Sequence, residues 1–124
     1  MLPAQHRLTE RGELTAAIRG PGARRQGSRL LVVHARRTDA RQAQPPRVGV
    51  VVSKAVGNAV VRNRVKRRLR AQVAPLLATV PLGTDIVLRA NPAAAGAASR
   101  EIGEALARAL ETLIAQLAPV GATR

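Results

Sequence analysis

The sequence predicts a small α+β domain: one mixed sheet with helices packed against it. Three observations carry this. The chain has 124 residues, room for one domain with a modest core. Short β-branched runs alternate with segments whose apolar residues recur at i+4. The resulting order is helix, strands, helix, strand, helix, which one sheet with packed helices accommodates. No internal repeat or second domain interrupts it, so residues 1–124 form one unit with 118–124 as a tail.

The first helix is expected over Thr9 to Arg19. Thr9 is placed to cap it, Gly20-Pro21 to end it, and Leu14 and Ile18 share a face with Ala17 beside them. Gly20 to Gly27 reads as a turn or a short irregular strand. Leu30 to Ala35 is a strand of apolar, β-branched residues. Thr38 to Pro46 is a polar loop. Val48 to Ser53 is a second strand, and its lack of alternation predicts burial on both faces. Asn58 to Ala74 is a helix with Asn58 as N-cap and Val61, Val65, Leu69 and Val73 as its apolar stripe. Pro75 ends or kinks it. Thr84 to Ala90 is a strand. Ser99 to Leu117 is the last helix, with Ile102, Leu106, Leu110, Leu113 and Leu117 on one face and i,i+4 pairs of Arg100, Glu104 and Arg108 on the other.

Composition restricts function. There is no cysteine, hence no disulfide, no thiolate zinc cluster and no thiol nucleophile. There is no Phe, Tyr or Trp, hence no aromatic stacking on bases and an aliphatic core. The net charge of +14 points to a polyanion, with nucleic acid as the default. Residues 1–70 hold 17 basic and 3 acidic residues, while residues 71–124 hold 4 of each, so the whole excess lies in the first part. The stretch Arg47 to Arg70 has eight basic residues and no acidic one. Interleaved with valines and leucines, it is patterned as structure and not as a disordered tail. No apolar run approaches the ~18 residues of a membrane span. No signal peptide is apparent, and a cytoplasmic protein is expected.

A catalytic centre is hard to assemble. The acidic residues are Glu10, Glu13, Asp39, Asp85, Glu101, Glu104 and Glu111, and none lies in the basic stretch. Glu10 and Glu13 suit a helix N-terminus better than a metal. His6 and His34 lack evident partners for metal binding or general-base work. Ser53 and Lys54 are adjacent, and neighbouring side chains on a strand point to opposite faces. The run Lys54-Ala55-Val56-Gly57-Asn58 links a strand to a helix start without the full phosphate-loop pattern, so an RNA phosphate fits there better than ATP.

The stretch RVGVVVSKAVGNAVVRNRVKRRLR, residues 47–70, closely resembles the signature of the bacterial ribonuclease P protein subunit. Its hallmarks are Val52-Ser53-Lys54, Gly57-Asn58-Ala59-Val60, Arg62-Asn63-Arg64, Lys66-Arg67 and Arg70. The opening Met1-Leu2-Pro3 with Arg7-Leu8, and Asp85 to Pro92, look similar too, so the resemblance spans roughly residues 1–117. It implies an α-β-β-β-α-β-α fold, akin to a domain of a small-subunit ribosomal protein. That fold has an unusual left-handed βαβ crossover, against the common rule. The additional early strand would be Gly22 to Gln26.

The resemblance also implies a function. The family protein joins a catalytic RNA that removes the 5′ leader of precursor tRNA with magnesium ions held mainly by the RNA. No protein side chain is then catalytic, and neither a membrane nor a small-molecule substrate is expected. By position, Arg62, Asn63, Arg64, Lys66, Arg67 and Arg70 match the helix that faces the catalytic RNA, and Ser53, Lys54, Gly57 and Asn58 the loop before it. Leu14 and Ile18 fall at aromatic leader-binding positions of the first helix, and His34 at a third on the sheet, with Arg47, Val48 and Val50 as neighbours. Ala55 stands where the family often has a second Lys. A structural ribosomal protein and a stand-alone nuclease are the alternatives of other classes.

Overall fold

The computed structural model describes residues 2–38, 41 and 43–117. Three helices, α1 (Arg11–Arg19), α2 (Ala59–Val73) and α3 (Ser99–Gln116), pack on a four-stranded sheet. Its strands are β1 (Arg24–Gly27), β2 (Leu31–Arg37), β3 (Arg47–Val51) and β4 (Thr84–Ala90), in the order β1-β2-β4-β3. β2 is antiparallel to β1 and β4, and β3 runs parallel to β4 with α2 as the crossover. The expected α+β class and element order are therefore found, the additional early strand being β1. The expected tail at 118–124 lies outside the described residues.

Alternation along the strands assigns the two faces. Leu31, Val33 and Ala35 of β2 and Ile86 and Leu88 of β4 meet Val65, Leu69 and Val73 of α2 and Ile102, Leu106 and Leu113 of α3 in the main core. Leu8, Ala17 and Val87 form a smaller cluster on the opposite face, with Leu14 and Ile18 half-buried against it.

Several boundaries move for physical reasons. α1 starts at Arg11 with Glu10 at the N-cap, so Thr9 does not cap it. β3 ends at Val51, and it is not buried on both faces: Val50 is half-buried and Val51 is 37% exposed. β3 is an edge strand, covered on its outer side only where the N-terminal arm reaches it. Leu8 N–H donates to the Val48 carbonyl (2.9 Å), and His6 Nδ1 donates to the Pro46 carbonyl (2.7 Å). α2 passes through Pro75 into a 3-10 turn at Ala74–Thr79, since Pro is tolerated at the first positions of a helical segment. On α3, Glu101 accepts from Ala98 N–H at 3.0 Å and stands 3.9 Å from exposed Arg29. No ion pair joins Arg100, Glu104 and Arg108 among the described residues.

Candidate nucleic-acid interface

The interface begins at the turn before α2. Asn58 caps the helix, its Oδ1 accepting from Val61 N–H at 3.0 Å. Gly57 is required there, because a Cβ would lie 2.9 Å from Val61 Cβ. Val65, Leu69 and Val73 turn inward, which leaves Asn63, Arg67 and Arg70 exposed at i, i+4 and i+7. Arg62 and Lys66 are half-buried on one flank of this ridge. Ser53, Lys54 and Asn58 are exposed beside the helix start.

The other flank of α2 is spent within the protein. Arg64 donates to the Ala95 carbonyl (3.2 Å) and Arg68 to the Ala97 carbonyl (2.8 Å), tying α2 to the 3-10 turn Pro92–Gly96. Arg64, assigned to RNA by sequence, is thus half-buried and engaged.

A groove of about 730 Å³ runs along the free edge of β3, between the N-terminal arm, α1 and α2. Its floor is Leu2, Leu8, Leu14 and Val48 to Val50, and its cations are Arg7, Arg67 and Arg70. Gly49 lets α1 sit this close: a Cβ there would strike the Leu14 side chain and lie 2.8 Å from the Leu8 carbonyl oxygen. The groove brings Leu14, Val48 and Val50 together with Arg67 and Arg70, two sets that sequence had assigned to different RNA segments. Arg7, Thr9 and Gly49 belong to it as well. Arg7 and Leu8 stood out in the sequence only as matches to a motif, because an N-terminal arm has no periodicity to expose its role.

Arg47, Ile18 and His34 lie elsewhere. Arg47 donates through Nε and Nη2 to the two oxygens of buried Asp85, each at 2.9 Å, and its Nη2 stands 2.7 Å from Glu13 Oε2. The hydrogen bond to Asp85 raises its pKa further above the usual range. Arg41 adds a third bond to Asp85 at 3.0 Å. Arg47 therefore joins β3, β4 and α1 and has little left for RNA. Ile18 packs in the small cluster under α1. His34 is 3% exposed on the α1 face of β2, with neither ring nitrogen hydrogen-bonded. Burial, then the charges of Arg89 and Arg25, hold its pKa below the ordinary value of 6.5.

No three His, Asp or Glu side chains converge among the described residues, and Asp85 is neutralised by two guanidinium groups. No helix among those residues is long and apolar enough to cross a membrane.

Fold and site together define a basic α+β module whose arginines wall an apolar groove. The profile of the family described as Ribonuclease P matches residues 2–114. The ribonuclease P protein component of Rhodococcus opacus is 48% identical over 97% of both chains. That of Streptomyces griseus is 45% identical over 92% of this chain and 96% of its own. The chain belongs to the ribonuclease P protein family, the protein component of an endoribonuclease ribonucleoprotein. The RNase P protein of Staphylococcus aureus shares the fold, with a TM-score of 0.75, 24% identity and coverage of 87% of this chain and 94% of that one. That of Thermotoga maritima, solved with a fluorophenyl thiourea, does so at 0.71 and 23%, over 85% and 97%.

Proposed function

We propose that this protein binds the RNA subunit of ribonuclease P with the ridge of α2 and receives the 5′ leader of precursor tRNA in the groove beside β3. The observation that carries this reading is the groove itself, in which Arg7, Arg67 and Arg70 stand over an apolar floor. Guanidinium groups take phosphates with charge-assisted hydrogen bonds. Leu14 and the β3 backbone meet bases by van der Waals contact, since no aromatic ring is available for stacking.

The protein binds, orients and screens charge; the RNA cuts. Magnesium ions sit with the RNA, a reading supported by the described residues, in which no three His, Asp or Glu side chains converge and Asp85 is neutralised by Arg41 and Arg47. Arg67 and Arg70 project from the same helix that would face the catalytic RNA, so one element contacts both RNAs and fixes the leader relative to the cleavage site. The work takes place in the cytoplasm, where tRNA is processed.

Reconstitution tests this. Added to ribonuclease P RNA at low magnesium, the protein stimulates cleavage of precursor tRNA, and alone it cleaves nothing. No stimulation overturns the proposal, and cleavage by protein alone points to a stand-alone nuclease.

A further inference from the structure

The loop that precedes α2, with its 3-10 turn at Lys54–Val56, packs against the 3-10 turn at Pro92–Gly96. Val56 is the inward anchor of that loop, buried in the main core, while Ser53, Lys54 and Ala55 are exposed. The second turn is fixed at both of its own ends. Asn91 N–H donates to the Leu30 carbonyl at 2.9 Å and Asn91 Nδ2 to the Ser28 carbonyl at 2.9 Å, which ties its start to the connection between β1 and β2. Ala98 N–H donates to Glu101 Oε1 at 3.0 Å, which ties its end to α3. Toward α2 the turn offers little hydrocarbon, since apart from Pro92 its residues over 92–97 are alanine and glycine.

The hold on α2 therefore depends on Arg64 and Arg68. They stand one turn apart on the helix and donate to the Ala95 and Ala97 carbonyls at 3.2 and 2.8 Å. Hydrogen bonds from a charged donor are among the stronger ones a protein makes. Both arginines are half-buried and Arg64 Nε is buried, whereas Arg67 and Arg70 on the ridge are exposed. The two pairs of cations on one helix are thus put to different uses.

We infer that Arg64 and Arg68 are positioning residues for RNA binding. By drawing the 92–97 turn onto α2 they seat the Lys54–Val56 loop beside the helix, so that Lys54, Arg67 and Arg70 meet the RNA subunit as one surface. Arg68, which lies outside the set that the signature turns toward RNA, shares this task with Arg64, which lies inside it. Both act through the turn and touch no RNA themselves. This rests on the ridge of α2 being the face for the RNA subunit.

Two measurements on Arg64→Met and Arg68→Met test it; both changes keep most of the side chain and remove its donors. The first is amide hydrogen exchange in the free protein. The N–H groups of Val56 and Gly57, bonded to the Ser53 and Lys54 carbonyls, exchange faster in both variants, while those of β2 and β4 keep their rates. The second is affinity for ribonuclease P RNA per folded molecule, followed across salt. Each variant binds about tenfold more weakly at every salt concentration, with the slope of log affinity against log salt unchanged. Arg67→Met, on the ridge, instead lowers that slope by roughly 0.7–0.9, the value for one phosphate contact. Arg68→Lys keeps a donor for the Ala97 carbonyl and restores both exchange and affinity. A slope lowered by Arg64→Met or Arg68→Met as it is by Arg67→Met makes that arginine a direct contact and overturns the inference. Unchanged exchange at Val56 and Gly57, or unchanged affinity of the folded variants, overturns it as well and leaves the ridge standing. If Arg67→Met alters neither affinity nor slope, the ridge assignment falls, and the exchange rates alone then report whether the arginines seat the loop.

Discussion

The sheet face under α2 and α3 is closed almost wholly by aliphatic side chains, with Thr84 the exception, whereas the face under α1 buries His34, Asp85 and most of Arg47. Both faces belong to the same four strands. On the first, α3 alone contributes Ile102, Ala105, Leu106, Ala109, Leu110 and Leu113 to the interior. On the second, one short helix lays Ala17, Leu14 and Ile18 over Val87 and leaves a whole strand row open. The division separates stability from recognition. A face filled with hydrocarbon holds the fold and reaches the groove only at its rim, through Leu2, Val48 and Val50. A face with polar groups and an uncovered row is costlier to keep folded and is where a ligand can be received.

Leu106→Ala is the severest way to probe the first face. Leu106 is fully buried, and truncation there costs about 2–5 kcal/mol. With no aromatic reporter in the chain, urea unfolding followed by far-UV circular dichroism measures it. A loss below ~1 kcal/mol would mean that α3 packs loosely and that the contrast between the faces is overstated. RNA affinity per folded molecule should not change.

Asp85→Asn probes the second face. The Asp85 side chain is 8% exposed and its partners Arg41 and Arg47 are 19% and 16% exposed, so removing the anion strands two nearly buried cations. The expected cost is about 3 kcal/mol. Arg47 also holds Glu13, the neighbour of Leu14, so the variant should loosen α1 over the groove. The measurement is leader-dependent affinity in the holoenzyme alongside stability. A fall in stability with leader discrimination intact would confine the network to folding.

The two faces were unequally legible in the sequence. Val65, Leu69 and Val73 recur at i+4, as do Ile102, Leu106 and Leu110, so α2 and α3 declared both their helical state and their buried side. The signature at 47–70 likewise singled out α2, the element that the proposed function turns toward RNA. On the α1 face the periodicity shows only Leu14 and Ile18, and the polar groups beneath the helix give no such signal. Arg47 and Asp85 are 38 residues apart, and a pair formed by strand register leaves no local pattern. Position in the signature places Arg47 beside the leader contacts, whereas its hydrogen bonds are committed to Asp85 and Glu13. Val48 to Ser53 reads as doubly buried because valines do not reveal that β3 is an edge strand; that depends on whether a strand pairs with β3 on the side away from β4. Arg64 reads as a free cation because the carbonyl it binds comes from a turn 31 residues away.

His34 gives the smallest effect and the finest discrimination between the faces. Its pKa in the folded protein is lowered, first by burial and then by Arg89 and Arg25, while in the unfolded chain it returns to about 6.5. Above pH 6.5 the ring is neutral in both states and its contribution to stability is complete. As pH falls below 6.5 the unfolded chain binds a proton that the folded protein resists, so stability declines until the folded-state pKa is passed. The slope from this one group is at most about 1.4 kcal/mol per pH unit. Melting followed by circular dichroism at pH 7.5 and 5.5 should show a loss that His34→Gln abolishes. An equal loss in the variant would assign the acid sensitivity to other groups. A rise in stability on acidification, abolished by the substitution, would mean that a buried anion pairs with His34 and that the α1 face is not the cationic surface its arginines make it.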